Sequence, residues 1–411
     1  MTITLPALEP WQREVYDWLH TYPRDTITTV LAKRQCGKSI LCIMVALTYS
    51  FESKTVNIII EPTLHQCRRV YQQILEMLAG SNLIRNSNAQ TLGITFVNGS
   101  QIIFKSAEQG NALRGLTCSG ILILDECAYI PDNVIEILLP IVDARKCPIL
   151  AVSTPLFTSG YFYEFFKDER NHSYNWNDYD TSKYLSKEKL EYYRKKYAPI
   201  KFKTEYLGQF MTEGGYVFEK YEFSDTVKKP VCCGIDWGVN NDYTFLTFLD
   251  EDGQTTDVWY SNTLPPVDMI ERVSTILNNS GVNKVEVEMN SIGSVYKDML
   301  QRKLKPGIQL TTFNTSNDTK REIIENLQTA LANGACKVKD DVEVTKQLNT
   351  YACDRTTTGK VTYNGLGEHD DAVMSLAIAY HCLTSNRGTF NFGLMPTRKH
   401  KRIDKYAKYF K

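Results

Sequence analysis

The chain lacks an excess of charge of either sign, because its 411 residues carry 47 Lys and Arg against 47 Asp and Glu. Net charge therefore does not indicate a nucleic-acid partner, and any basic surface must be local. None of the 11 cysteines forms a Cys-x-x-Cys pair, which favours buried thiols in a reducing compartment over disulfides or zinc. No apolar run is long enough to span a bilayer, and Met1 to Trp11 does not resemble a signal peptide. We expect a soluble, cytoplasmic protein without a membrane partner.

The length and the apolar pattern predict two α/β domains. Short strands alternate with helical stretches in the front half. Ile121–Leu124 and Ile149–Val152 are continuous apolar runs, typical of a parallel sheet covered on both faces. A second series of strands and helices starts at Val231, and Lys284–Glu288 alternates as a half-buried strand does. The predicted divisions are a first domain at 1–210, a linker or hinge at 211–230, a second domain at 231–390 and a basic C-terminal tail at 391–411.

The first motif follows a β-rich run and precedes a helical one. It reads Ala32-Lys33-Arg34-Gln35-Cys36-Gly37-Lys38-Ser39 and fits the phosphate-loop pattern, with alanine at the first glycine position. Backbone N–H groups of Arg34, Gln35, Cys36 and Gly37, with the helix N-terminus, would surround the phosphates of ATP. Lys38 would reach the β- and γ-phosphates, and Ser39 would hold Mg²⁺. We therefore expect a P-loop NTPase domain with a mainly parallel sheet.

Two further strand ends suit the same site. Asp125 and Glu126 follow the apolar run Ile121–Leu124, so Asp125 would bind Mg²⁺ and Glu126 would orient or activate the attacking water. Ser153 and Thr154 follow the next apolar run, where hydroxyl groups can sense the γ-phosphate and pass the change to neighbouring elements. A simple strand-ending turn at Ser153-Thr154-Pro155 is the competing interpretation.

Two arginines are candidates for stabilising the transition state of hydrolysis. Arg34 lies inside the loop and could act on the same subunit, whereas Arg114 could act on a neighbouring subunit. A salt bridge or a phosphate-positioning contact is the alternative for each. Gln12, before the first strand, could recognise adenine through its amide or cap a helix.

The second motif is a scattered acidic set. Asp236 ends a strand, Glu288 ends another, and Asp370 and Asp371 open a helix. Carboxylates that converge from two strands and a helix form a ribonuclease H-like metal site, which suits two-metal cleavage of phosphodiesters with Mg²⁺ or Mn²⁺. The alternative is that these acids have only structural roles, as turn formers or helix caps. His369 could orient an acid or contact phosphate, and Asp242 is a weaker accessory candidate.

Several cations are candidates for DNA contacts. Lys320 and Arg321 open a helix, which suits backbone phosphates. Lys360 lies in a hairpin near the acidic residues in sequence, and the basic tail could bind DNA or dock on a protein ring. A solvated helix start and a solubilising tail compete with these interpretations.

In combination these motifs resemble the large terminase subunit of tailed bacteriophages. The resemblance runs from Trp11-Gln12 to Ala379. It rests on the phosphate loop, Leu113-Arg114-Gly115, Leu124-Asp125-Glu126-Cys127-Ala128, Ser153-Thr154-Pro155, Phe202–Phe210, Gly234-Ile235-Asp236-Trp237-Gly238 and Gly367-Glu368-His369-Asp370-Asp371-Ala372. It implies a P-loop ATPase domain followed by a ribonuclease H-like (resolvase-like) α/β nuclease domain.

The resemblance also implies a DNA-packaging motor. Such an enzyme hydrolyses ATP to move double-stranded DNA through a portal into a procapsid, and cuts concatemeric genomes with two metal ions. It would work with the portal protein and a small terminase subunit, as a pentameric ring on the portal or a monomer in solution. It would reside in the host cytoplasm, transiently at the procapsid portal vertex, and be absent from the mature virion.

Two other functional classes compete with this interpretation. A helicase-nuclease or resolvase-like enzyme would need helicase motifs between Pro155 and Phe210, and we find none. A non-catalytic assembly protein with a vestigial nuclease domain conflicts with the intact Asp236, Glu288 and Asp371. The sequence leaves open the packaging strategy, the metal used in the cell, nuclease regulation, the role of each arginine, and which of Asp370 and Asp371 binds metal directly.

Overall fold

The computed structural model describes residues 5–52, 54–180, 184–212, 214–238, 242–289, 293–355, 361–366 and 369–385. These residues form two compact units. The first takes in the described residues of Met1–Lys220, Gln328–Asn333 and Leu348–Glu368, and the second takes in the others. Over the described ranges, no helix combines the length and apolar character needed to cross a membrane.

An eight-stranded, mainly parallel sheet forms the centre of the first unit. Its strands are β1 (Ile27–Leu31), β2 (Val56–Glu61), β3 (Ile84–Asn88), β4 (Gly93–Phe96), β5 (Gln101–Ser106), β6 (Leu122–Asp125), β7 (Ile149–Ser153) and β8 (His172–Asn175). In space they follow the order β3-β4-β5-β2-β6-β7-β1-β8. Strands β4 and β5 pair antiparallel across Asn98-Gly99, a dipeptide typical of hairpin turns. Strands β1, β2, β6 and β7 run parallel to one another, so their carboxyl ends lie at the same edge of the sheet.

Helices and short 3₁₀ turns connect these strands. The α-helices are α1 (Pro10–His20), α2 (Lys38–Glu52), α3 (Leu64–Met77), α4 (Asp132–Asp143), α5 (Tyr161–Lys167), α6 (Lys187–Lys196) and α7 (Pro199–Leu207), with 3₁₀ turns at Ala107–Gly115, Cys127–Tyr129 and Trp176–Asp178. The predicted apolar runs are buried throughout β6 and β7, as expected for strands covered on both faces. A short strand, β9 (Gly215–Tyr216), follows the last helix.

A five-stranded mixed sheet forms the centre of the second unit. The elements that follow in chain order are β10 (Cys232–Asp236), β11 (Thr244–Leu249), β12 (Thr255–Ser261), α8 (Pro266–Ser280), β13 (Lys284–Glu288), α9 (Gly293–Lys303), β14 (Gln309–Phe313), α10 (Asn317–Ala332) and α11 (Val342–Thr350). The ends of α10 and α11, from Gln328 and from Leu348, belong to the first unit. The strand order is β12-β11-β10-β13-β14, antiparallel from β12 to β10 and parallel from β10 to β14. The parallel pairing places the ends of β10 and β13 side by side.

The last elements are β15 (Tyr351–Arg355), β16 (Val361–Gly365) and α12 (Asp371–Ser385). Strands β16, β15 and β9 form a small antiparallel sheet in the first unit. Helix α12 packs on β10, β11 and β13. It approaches β10 so closely that a Cβ at Gly234 would lie 2.2 Å from the amide nitrogen of Ala379. Glycine therefore fixes the separation of this helix and strand.

The prediction of a half-buried β13 is wrong. Its central residues Val285, Glu286 and Val287 are all buried. The two valines pack with α8 on one face, whereas Glu286 faces α12 and lies 2.7 Å from Nδ1 of His381. The polar partner allows an acid to occupy the covered face.

All eleven cysteines are free and buried, in agreement with the sequence analysis.

Candidate nucleotide site and candidate metal centre

The phosphate loop lies between β1 and α2, and α1 holds it in place. The Gln12 side-chain amide donates a hydrogen bond to the Gly37 carbonyl at 2.9 Å, while its oxygen accepts one from the Glu9 amide at 2.8 Å. Gly37 adopts a φ of +79°, and a Cβ there would lie 2.3 Å from Nε2 of Gln12. The positive φ favours glycine, and a Cβ would also displace the Gln12 side chain from its present position. Gln12 links the loop to the start of α1, while adenine recognition by this residue stays a prediction.

Lys38 and Glu126 meet at the edge of the sheet. Nζ of Lys38 lies 3.3 Å from Oε1 of Glu126. The other carboxylate oxygen, Oε2, accepts hydrogen bonds from the Thr154 amide and the Thr154 hydroxyl, both at 3.3 Å. Oγ of Ser153 donates to the same oxygen at 3.5 Å. The predicted base and the predicted sensor residues therefore contact one another directly.

Asp125 lies beside the first residues of α2. Oγ of Ser39 donates to Oδ2 of Asp125 at 3.1 Å, and the Glu126 amide donates to Oδ1 at 3.0 Å. Burial raises the pKa of Asp125 to about 6, and the charge of Glu126 adds to the increase while Lys38 opposes it. A hydroxyl and a buried carboxylate at the start of a helix suit a hard cation such as Mg²⁺.

Glu61 is a further acid at this edge, and it was not predicted from the sequence. It is 1% exposed, at the end of β2. Burial, followed by the charges of Asp125 and Glu126, raises the pKa of Glu61 to about 9. The available signal was its position directly after the apolar run Ile58–Ile60, which parallels the position of Asp125.

The two candidate arginines differ in their surroundings. Arg34 lies 3.1 Å from the Glu205 carboxylate, and its amide donates to the Glu205 carbonyl at 2.7 Å. Burial lowers the pKa of Arg34, but the charges of Glu205 and Glu126 and a hydrogen bond with Tyr206 outweigh this effect, so the pKa is raised. Arg114 instead donates to Asn111 at 3.3 Å and lines a groove of about 730 Å³ beside α4.

The acidic set converges in the second unit. Strands β10 and β13 pair with Ile235 opposite Val287, so Asp236 and Glu288 follow as neighbours. Burial raises the pKa of Asp236 well above its ordinary value, and Glu288, Asp371 and Asp370 add to the increase in that order. Buried carboxylates that repel one another are stabilised by a cation. The residues therefore fit a divalent metal centre.

Asp371, at the first position of α12, joins a second acidic group. Its Oδ2 accepts a hydrogen bond from the Tyr243 amide at 3.1 Å. Nδ1 of His369 lies 3.6 Å from Asp371 and 3.4 Å from Asp242, and the three side chains have the spacing of metal ligands. Burial raises the pKa of Asp371 to about 6, the Tyr243 amide lowers it, and Asp242 and Asp370 raise it further. His369 and Asp242 therefore lie beside Asp371 at the candidate metal centre, whereas the sequence pattern had made Asp242 only a weaker accessory candidate.

Asp370 differs from its neighbour, since it forms an ion pair with Lys320 at 2.9 Å. Lys320, a candidate DNA contact, is therefore paired with an acid of the candidate metal centre. Arg321 lies 3.8 Å from Glu325 on the same helix. Lys360 and the tail from residue 391 lie outside the described residues.

Comparison with known proteins agrees with this arrangement. The family model for the N-terminal part of T4likevirus-type terminase large subunits matches residues 30–225, and the model for the terminase RNaseH-like domain matches residues 233–383. The chain belongs to the terminase large subunit family. Its fold class is as predicted, with a mainly parallel α/β sheet followed by a ribonuclease H-like unit.

Related terminases span most of the chain. The large terminase subunits of Thermus phage G20c and Thermus virus P23-45 are each 28% identical over 342 residues, covering 72% of this chain and 68% of theirs. The solved large terminase of another thermophilic bacteriophage has 15% identity and a TM-score of 0.59, covering 92% of this chain and 99% of its own. A structure of that terminase in complex with ADP has the same identity and coverage and a TM-score of 0.58. Both solved structures support the fold.

Proposed function

We propose that this terminase subunit uses ATP hydrolysis to translocate double-stranded DNA into a procapsid and cuts concatemeric DNA with a two-metal nuclease. One observation supports the proposal above all. Two complete acidic constellations occur in a single chain, one around a phosphate loop and one where Asp236, Glu288 and Asp371 converge. Movement and cleavage of a phosphate polymer require both kinds of site.

In the first unit, the loop from Arg34 to Ser39 would surround the phosphates of ATP. Lys38 contacts Glu126 at 3.3 Å, and on ATP binding it would exchange this contact for one with the β- and γ-phosphates. Glu126 would then be free to take a proton from water while Thr154 keeps its carboxylate in place. Bound Mg²⁺, held through Ser39 and Asp125, would neutralise the phosphate charge.

In the second unit, Asp236, Glu288 and Asp371 would hold two Mg²⁺ or Mn²⁺ ions, which would activate water and stabilise the leaving oxygen. Asp370 is engaged by Lys320, which favours Asp371 as the direct ligand. Lys320, Arg321 and Lys360 are proposed to contact DNA phosphates. The proposed protein partners are the portal and the small terminase subunit, with a homo-oligomeric ring, pentameric by the family resemblance, on the portal vertex.

A crossed pair of substitutions tests the two activities separately. We expect Lys38→Ala to abolish ATP hydrolysis, because the phosphate-binding cation is lost, while Mn²⁺-dependent nicking of plasmid DNA continues. Asp236→Ala should abolish nicking and leave hydrolysis unchanged. ATPase and plasmid-nicking assays on both variants provide the measurement. Cleavage at the wild-type rate by Asp236→Ala would show that the acidic set is not the nuclease centre.

Translocation needs its own assay. Lys38→Ala should fail to protect DNA inside procapsids from added nuclease when portal and small subunit are present, whereas wild-type protein should protect it. Unprotected DNA with wild-type protein that hydrolyses ATP would contradict the motor function.

A further inference from the structure

Glu61 is a buried acid whose side chain interacts with that of Asp125, a second acid, and which has no donor partner among the described residues. Its side chain is 1% exposed, and within the described part of the chain neither carboxylate oxygen accepts a hydrogen bond. Arg69 on α3 is exposed, and its charge lowers the pKa of Glu61 by less than burial and the neighbouring acids raise it. Unsatisfied buried carboxylates are costly and rare, so such a group calls for a ligand that supplies donors.

The position of Glu61 indicates where that ligand would lie. Strands β2 and β6 are parallel neighbours, and Ile60 pairs with Leu124. The next residues in register are Glu61 and Asp125, whose side chains project to the same face of the sheet. Asp125 in turn accepts the hydrogen bond from Ser39 at the start of α2. The Glu61 carboxylate, which interacts with Asp125, therefore faces the place where the nucleotide's cation would be held.

We propose that Glu61 is a positioning residue of the nucleotide site, whose carboxylate accepts a hydrogen bond from a water ligand of the divalent cation held through Ser39 and Asp125. This inference rests on the proposed ATPase function. The water ligands of a hard cation are strong donors, and Mg²⁺ keeps several of them when it binds protein. Glu61 would thus orient the cation's water shell from the β2 side, opposite α2.

The test measures cation dependence rather than turnover. A fluorescent ATP analogue is bound to full-length protein at increasing Mg²⁺ concentrations, and separately in EDTA. For Glu61→Gln we expect the Mg²⁺ concentration at half-maximal binding to rise on the order of tenfold, while binding in EDTA is unchanged. Glu76→Gln, an exposed acid on α3, is the matched control and should behave as wild type.

A second variant separates this role from a structural one. Glu61→Met removes the buried carboxylate but fills similar space, so the protein free of metal and nucleotide should melt at the same or a higher temperature than wild type. A lower melting temperature or a failure to fold for both variants would show that Glu61 supports the fold, and would overturn the proposal. Unchanged Mg²⁺ dependence in Glu61→Gln would also overturn it. If wild-type protein binds no ATP analogue at all, the proposed ATPase function itself fails.

Discussion

Glu126 is held from several directions at once. Its backbone adopts a left-handed conformation with φ of 52°, unusual for a residue with a side chain. Lys38 contacts one carboxylate oxygen, and the Thr154 amide and hydroxyl contact the other. A backbone strained in this way persists when the surroundings determine it, and it is frequent at functional sites. Thr154, directly after β7, therefore helps to fix the orientation of Glu126, directly after β6.

The Thr154 hydroxyl offers a direct test of this orientation. Thr154→Val keeps the shape and the backbone donor but removes one hydrogen bond to a carboxylate. We expect kcat for ATP hydrolysis to fall on the order of tenfold, since a hydrogen bond to a charged group contributes about 1.5–3 kcal/mol. The KM for ATP should stay the same because Thr154 contacts Glu126. Steady-state ATPase kinetics measure both quantities.

Thr154→Ser is the matched control, because it retains the hydroxyl and should keep most of the activity. A Thr154→Val enzyme with wild-type kcat would mean that the hydroxyl does not position Glu126. A raised KM with unchanged kcat would instead indicate that Thr154 acts on nucleotide binding.

At the residue scale, the sequence predicted the motif members but not the acids that surround them. Asp125 and Glu126 were identifiable because they follow an apolar strand at a suitable distance from a phosphate loop. Glu61 follows a similar strand, yet no spacing rule joins it to that loop. Its relation to Asp125 depends on the pairing of β2 with β6, which a one-dimensional pattern does not contain.

Among the secondary-structure elements, α12 connects the core of the second unit with the proposed metal centre. The helix begins with Asp371 and packs along β10, where Gly234 allows close approach. A buried hydrogen bond of 2.7 Å between Thr247 on β11 and Ser375 fixes the helix along its axis. The position of the Asp371 carboxylate therefore depends on contacts farther along the same helix.

Gly234→Ala should disturb this arrangement. The added methyl group would meet the backbone of α12 at Ser375 and Ala379, so the helix or the strand must move. Overpacking of this kind typically costs about 1–3 kcal/mol, and we expect a lower melting temperature. Plasmid nicking should fall more than ATP hydrolysis does, because Asp371 moves with α12. Calorimetry and the two activity assays provide the measurements.

Gly93→Ala on β4 is a suitable comparison, since its Cβ would meet only the Ile102 carbonyl at an ordinary 3.9 Å. It should leave nicking unchanged. If Gly234→Ala melts and cleaves as wild type does, the separation of α12 from β10 does not determine the position of Asp371 in the proposed metal centre.

The elements that the sequence predicted are those whose burial shows in their own residues. Continuous apolar runs became β6 and β7, and the start of α2 followed from the loop. Strands β3 and β8 have the polar sequences Ile-Arg-Asn-Ser-Asn and His-Ser-Tyr-Asn. They form because β4 and β1 supply hydrogen bonds at a sheet edge, so tertiary pairing overrides a weak local preference.

At the scale of the whole molecule, sequence order and spatial order differ. The strand pair β15–β16 comes late in the chain, yet β15 pairs with β9 in the first unit. Apolar periodicity assigns contiguous segments and carries no information about such long-range pairing. The predicted domain boundaries at residues 210 and 231 were inferred from the same contiguous pattern, so they stay predictions.

The two arginines raise a question that only an assembly can answer. Arg34 pairs with Glu205 of the same unit, and the charge of Glu126 acts on it, so we expect it to act on the nucleotide site of its own subunit. Arg114 lines a groove beside α4, with Asn111 as its hydrogen-bond partner. We therefore expect Arg114 to serve the site of a neighbouring subunit. Loss of such an arginine typically lowers kcat by roughly 10³–10⁵.

Mixing two inactive variants tests this expectation. Arg114→Ala keeps its own phosphate loop, and Lys38→Ala keeps its own Arg114. In a mixed ring, some junctions would combine the intact loop of one subunit with the intact arginine of the next, so ATPase activity should partly recover under packaging conditions. Mixing Arg34→Ala with Lys38→Ala is the control and should give no recovery, because both defects affect a site within one subunit. Recovery in the control alone would reverse the two assignments, and no recovery in either mixture would place both arginines on their own subunit.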